Sequence, residues 1–160
     1  MKPKNCLIFG GTGQIGSFLV RKLTKKGYKV TVVTRNIHQK GIFIKSGGNQ
    51  GWVDLVEMGI FDEKKIRKLF ENADICINLV GILFEKKNST FKNIHTVFPS
   101  LLAKMCKEYN LKQFIHLSAL GVNEAADSKY AISKLDGEIA IQKNFPLATI
   151  LRPSVVYSSS

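Results

Sequence analysis

The chain has 160 residues, 44% of them hydrophobic and 9% aromatic, about one domain's worth of polypeptide with enough apolar material for a buried core, which excludes a disordered chain. Its 24 Lys and Arg outnumber its 12 Asp and Glu, giving a formal net charge of +12. The excess is spread over both halves with no run of more than two like charges, so no basic tail or stripe is present and nucleic-acid binding is not expected.

In chain order, Cys6-Leu-Ile-Phe9 is a short apolar run stopped by Gly10-Gly11, which suits a strand buried on both faces. Ile15, Phe18, Leu19 and Leu23 then recur at helical spacing, and Lys25-Lys26-Gly27 supply cations and a glycine stop. Lys29–Thr34 reads as a second strand, followed by a polar, Gly-rich stretch over 36–51, and a third strand lies around Val53–Val56. Trp52 is expected to cover a sheet edge. Asp62 caps a short helix whose apolar face is Ile66, Leu69 and Phe70, and Asp74–Val80 forms a fourth strand. The longest helical pattern runs from Ser89 to Tyr109, with Phe91, Ile94, Phe98, Leu101, Leu102, Met105 and Tyr109 as a core-packing face. Phe114–Leu117 is a fifth strand, Ser128–Lys143 a further helix, and Ala148–Arg152 a sixth strand. Strands alternating with helices at this spacing imply βαβ units and an α/β, doubly wound parallel sheet with helices on both faces, in the Rossmann order 3-2-1-4-5-6.

The sharpest local motif is Gly10-Gly-Thr12-Gly13-Gln14-Ile15-Gly16, placed where the first strand hands over to the first helix. Gly10 permits the tight turn, Gly13 lets the backbone approach a pyrophosphate, and Gly16 lets helix and strand pack closely. The helix N-terminus then offers unpaired N–H groups and a partial positive charge to the diphosphate. Tyr130-Ala-Ile-Ser-Lys134 places a phenol and an ammonium one helical turn apart on one face. An ammonium there is expected to lower the phenol's pKa from its usual ~10 and make it an acid or base near neutral pH. After the second strand, Arg35 is available to a ribose 2′-phosphate and no Asp or Glu is near it in sequence. NADP(H) is therefore preferred and NAD(H) remains open; Arg35 stacked on adenine or solvated is the alternative.

The spacing G-x-x-G-x-x-G is the form typical of short-chain dehydrogenase/reductase proteins, and Asn78-Leu79-Val80-Gly81 resembles that family's Asn-x-Ala-Gly turn against the adenosine ribose. The runs Ile77-Asn-Leu-Val-Gly-Ile-Leu83, His116-Leu-Ser-Ala-Leu-Gly121, Tyr130–Glu138 and Arg152-Pro-Ser-Val-Val-Tyr157 together resemble an atypical, extended branch. Within it the chain resembles the NAD(P)H-binding accessory subunit of respiratory complex I (NADH:ubiquinone oxidoreductase) and its α-proteobacterial relatives. The resemblance implies that Leu79, Val80 and Gly81 line the cofactor, that Lys134 holds the nicotinamide ribose, and that Tyr130, Lys134 and Ser118 form the catalytic set.

Two positions depart from the family pattern. Gly59 stands where extended members carry an Asp for the adenine, leaving the backbone around Ile60 to make that contact, and the usual serine after the fifth strand falls on Leu120 rather than Ser118. One reading is thus a cofactor-holding domain without turnover, structural, assembly-related or redox-sensing, with complex I subunits or an anionic membrane surface as partners. The other is an NAD(P)-dependent oxidoreductase or epimerase/dehydratase using Tyr130 and Lys134. Extended members continue for a further substrate-binding part, so residues 1–160 are expected to be the cofactor-binding domain alone, with that part absent.

Cys6, Cys76 and Cys106 have neither disulfide-framework nor zinc-site spacing and read as reduced, buried thiols. His38, His95 and His116 share no ligand spacing, and packing or surface roles are expected for them; a cleft-facing place beside Asn93 on the long helix is the alternative for His95. The apolar run after Lys2 and Lys4 is too short for a signal peptide, and no stretch approaches the ~20 residues of a membrane span. The expected location is cytoplasmic, at most peripheral on the inner face of the membrane.

Overall fold

The computed structural model describes residues 3–38, 51–59, 61–87 and 89–157. The elements are β1 (Asn5–Phe9), α1 (Gln14–Lys25), β2 (Lys29–Thr34), β3 (Val53–Glu57), α2 (Glu63–Phe70), β4 (Ile75–Asn78), a π-helical turn (Lys92–Val97) running into α3 (Phe98–Glu108), β5 (Gln113–Leu117), α4 (Lys129–Asn144) and β6 (Thr149–Leu151). The six strands follow the order β3-β2-β1-β4-β5-β6, the Rossmann arrangement expected from the alternation of elements. β1 pairs in parallel with β2 and β4, β2 with β3, and β5 with β6. The chain divides into two compact units, Met1–Leu79 and Val80–Ser160.

In the first unit, Cys6, Leu7, Ile8 and Phe9 are fully buried, which is why β1 is a continuous apolar run rather than an alternating one. Val30, Val32 and Val33 of β2 and Ile75, Cys76 and Ile77 of β4 are buried too. Helix α1 differs from its sequence pattern. Its buried stripe is Gly16, Val20 and Thr24, whereas Phe18 is 53% exposed with the Arg21 guanidinium 5.0 Å over its ring. The cause is Gly16, which seats the helix against the preceding turn, so that positions one and two turns further on inherit the buried stripe. Asp62 caps α2 as expected, its Oδ1 accepting from the Lys65 N–H at 3.2 Å, and Ile66 and Phe70 are buried.

In the second unit, the expected single helix over 89–109 is interrupted. Pro99 has no N–H to donate to the His95 carbonyl, and its ring would collide with that oxygen in a regular α-helix. The chain instead widens into the π-helical turn before resuming as α3. Space for the displaced carbonyl comes from α4, where a Cβ on Gly137 would overlap the His95 oxygen. Ile94, Phe98, Leu102, Met105 and Cys106 form the core face. Ser128 caps α4, its Oγ accepting from the Ala131 N–H at 3.2 Å. The three cysteines are buried thiols outside any disulfide, and burial pushes the Cys6 thiol up to about 11. Among the described residues, no helix is long and apolar enough to cross a membrane.

Candidate functional site

The first unit contributes the turn between β1 and α1. Gly10 has φ of +81°, the left-handed region that glycine enters without steric cost, and its carbonyl accepts from the Gly13 N–H at 3.1 Å. A Cβ on Gly16 would come within 2.5 Å of Gly10 O and Gly11 Cα, so only glycine lets α1 start against this turn. Helix α1 begins with no side-chain cap and no acidic residue in its first turn. The amides of Gln14, Ile15 and Gly16 therefore open the helix without intrahelical partners, next to the positive end of its dipole. Gly13 and Gln14 are exposed while Thr12 and Ile15 are half-buried. This cradle fits a diphosphate: backbone donors, no competing carboxylate, and glycine where a side chain would intrude.

The strand order reverses at β1, and its carboxyl end lies beside that of β4, where the Leu79 N–H donates to Phe9 O at 2.9 Å. This is the position at which open parallel sheets hold ligands. Arg35 directly follows β2 and is exposed. The structure adds a carboxylate that sequence proximity misses: Glu57, at the end of the neighbouring β3, accepts from the Ile37 N–H at 2.8 Å. Ile60 lies outside the described residues.

The second unit brings together Gly81, Tyr130, Lys134 and Ser118 and adds three residues that sequence reasoning did not assign to a site: Phe91, His95 and Ser133. Leu79 and Val80 are half-buried and Gly81 is exposed. Lys134 is buried, its Nζ donating to Leu117 O at 3.0 Å. Burial lowers its pKa to about 8, with the Glu138 carboxylate opposing the shift. A Cβ on Gly81 would lie 3.6 Å from that Nζ and 3.8 Å from His95 Nε2, so Gly81 sits directly beside both groups.

His95 Nε2 accepts from the Ile82 N–H at 3.1 Å, and its Nδ1 is 2.9 Å from Ser133 Oγ. Phe91, expected in the core, is half-buried and stacks on the His95 ring at 5.4 Å, and Tyr130 meets both rings edge-on at 5.8 and 5.3 Å. The sequence signal for His95 was Pro99, four residues on.

The expected lowering of the Tyr130 phenol is corrected. Its pKa is raised, with burial as the cause, and the Lys134 ammonium donates to the Leu117 carbonyl at 3.0 Å. Ser118 is buried, its N–H donating to Leu151 O at 2.7 Å; its hydroxyl has no hydrogen bond of standard geometry among the described residues, yet it lies near enough to Glu138 to help the Arg152 guanidinium hold that carboxyl acidic against its burial. Glu138 is itself buried and takes a bidentate contact from Arg152, whose Nε donates at 3.0 Å. Arg152-Pro-Ser, a branch marker in the sequence, thus supplies the counter-charge that lets α4 bury a carboxylate.

Burial also lowers His95 to about 4 and His116 to about 3. An unfolded chain takes up protons at these imidazoles below their ordinary 6.5, while the folded chain does so only near the lowered values, so stability falls as pH drops from 6.5 toward 4. The urea midpoint should decline through that window; a midpoint flat between pH 7 and 4.5 would contradict the burial of neutral imidazoles.

Comparison with known proteins agrees with this geometry. The mouse mitochondrial NADH dehydrogenase (ubiquinone) 1 alpha subcomplex subunit 9 is 31% identical over 150 residues, matching 94% of this chain and 40% of its own length. A ceramide reductase of Caulobacter vibrioides is 28% identical over 154 residues, matching 94% of this chain and 45% of its own. The chain therefore spans less than half the length of these relatives. Among solved structures, the UDP-glucuronic acid 4-epimerase of Bacillus cereus in complex with NAD superposes with a TM-score of 0.79 at 26% identity, covering 96% of this chain and 57% of that one. The family model of the NAD dependent epimerase/dehydratase family matches residues 6–160, and the chain belongs to that family.

Proposed function

We propose that this chain binds NADP(H) in preference to NAD(H) and serves as a nucleotide-holding structural or assembly component of a respiratory complex I-like assembly, without turning over a substrate. The observation that carries the binding is the glycine turn before an uncapped, acid-free helix start. The Gln14, Ile15 and Gly16 amides would hold the diphosphate, and Thr12 flanks them. Lys134, with two N–H groups left after its bond to Leu117, would hold ribose hydroxyls. Gly81 lies beside that ammonium. A bound nicotinamide supplies hydride-transfer chemistry at its C4.

Three features support holding over turnover. Ser118 is buried toward Glu138, the position of the usual serine is Leu120 at 68% exposure, and the Tyr130 phenol is pushed up rather than down. The partner assignment rests on relatives named as a subunit of NADH-ubiquinone oxidoreductase and as a subunit of NADH dehydrogenase (ubiquinone). It extends to a cytoplasmic location, peripheral on the inner face of the membrane. Co-fractionation with complex I subunits is the expected result, and recovery in fractions free of them counts against it.

Cofactor choice rests on Arg35, exposed at the end of β2, with Glu57 occupied by the Ile37 amide. In a nicotinamide-fluorescence titration, NADPH should bind more tightly than NADH. Arg35→Ser should reduce that preference about tenfold, as for loss of a hydrogen bond to a charged group. Tighter binding of NADH would overturn the assignment.

A second reading, an NAD(P)-dependent reductase with Tyr130 as acid/base, is favoured by the similarity to a ceramide reductase and by the placement of Tyr130 and Lys134 one turn apart on α4. It requires that Tyr130→Phe in a full-length version abolish activity; unchanged activity ends it.

A further inference from the structure

We propose that His95 is a positioning residue whose imidazole, fixed as the Nδ1–H tautomer, clamps the turn after β4 to helix α4 at Tyr130. The proposal deepens the dinucleotide reading, because Tyr130 and Lys134 are the residues assigned to the nicotinamide end.

The tautomer follows from a single constraint. A backbone N–H can only donate, so the 3.1 Å contact from Ile82 makes Nε2 the acceptor. The ring proton of the neutral imidazole is then on Nδ1, which donates to Ser133 Oγ at 2.9 Å. The Ser133 hydroxyl in turn donates to Tyr130 O at 2.7 Å. Each link thereby has one direction, running from the loop amide through the imidazole and the serine to the backbone of Tyr130. Thr96 adds a parallel tie, its Oγ1 donating to Ser133 O at 3.0 Å.

The charged and titratable groups around His95 are Lys134, Tyr130 and His116. Burial and the Lys134 ammonium keep the imidazole neutral down to about 4, so the clamp holds its direction throughout the neutral range. The ring's own pose is set by the π-helical turn, which Pro99 forces and Gly137 makes room for. π-Helical turns recur at functional sites because they swing one residue out of helical register. Here that residue is held between Phe91 and Tyr130. Its contact to Ile82 fixes the residue next to Gly81, on which a Cβ would lie 3.6 Å from Lys134 Nζ.

The test uses the intact chain. In ¹⁵N imidazole spectra, His95 should show a protonated Nδ1 and an unprotonated Nε2, unchanged between pH 5 and 8, and Ser133→Ala should shift the Nδ1 signal alone. His95→Phe should weaken NADPH about tenfold, the effect of leaving buried donors unpaired. His95→Gln, whose Oε1 can accept from Ile82, should recover most of that loss. An Nε2–H tautomer, a titration near the ordinary 6.5, or a His95→Phe variant that melts lower while binding NADPH unchanged would each overturn the clamp. If the wild-type chain binds no dinucleotide, the dinucleotide reading fails, while the tautomer spectrum still supports or overturns the clamp by itself.

Discussion

Replacing Gly137 with alanine should destabilise the chain by about 3 kcal/mol, the upper end of what overpacking costs. The new methyl would overlap the His95 carbonyl oxygen and lie 3.0 Å from its carbon, and both atoms are backbone that no rotamer change can move. That carbonyl cannot retreat into a regular α-helix, because Pro99 occupies the place where its donor would be. Relief therefore means parting α4 from the π-helical turn and opening the clamp at Ser133. The matched control is Gly59→Ala, where nothing lies within 4 Å of the new Cβ and a change within about 0.5 kcal/mol is expected. Urea denaturation of both variants measures the contrast. Equal midpoints would mean that the close approach of the two helical segments contributes nothing to stability.

The second large effect is at the glycine turn. Gly16→Ala should abolish measurable dinucleotide binding, because its Cβ would come within 2.5 Å of Gly10 O and Gly11 Cα and push the start of α1 off the turn. Two amide bonds to a charged diphosphate are at stake at about 1.5–3 kcal/mol each, which together amount to at least a hundredfold in affinity. Gly11→Ala should be milder for binding, since the atoms its Cβ would meet first belong to the Val32 side chain rather than to the backbone of the turn. If the two variants bind NADPH alike, the backbone cradle is not what holds the diphosphate.

The strands were legible because buried parallel strands are written locally: Cys6–Phe9 could hardly be anything else, and the glycine turn that follows it is demanded by backbone geometry alone. Strand order followed from chain alternation and handedness rules rather than from any residue. What stayed hidden were consequences of tertiary fit. Phe18 reads as an apolar helix position, yet the seat of Gly16 turns it outward. His95 reads as a packing or surface residue, with a cleft-facing place as the alternative, until Pro99 is followed four positions back to the carbonyl it cannot donate to. The Tyr130 phenol is expected to be acidified by its neighbour one turn on, but spacing cannot show that burial raises it instead, or that the Lys134 ammonium donates a hydrogen bond to the Leu117 carbonyl. Glu57 approaches the end of β2 only through the register that sets it beside Thr34, and Arg152 meets Glu138 across 14 residues. Pairings of this kind are set by the fold rather than by local sequence.

Isothermal titration of the intact chain with NADPH and with NADH tests the central claim most directly. Saturable one-to-one binding, tighter for NADPH and lost in Gly16→Ala, is the expected result. Absence of binding by either dinucleotide at millimolar concentration, or binding that survives Gly16→Ala undiminished, would contradict it.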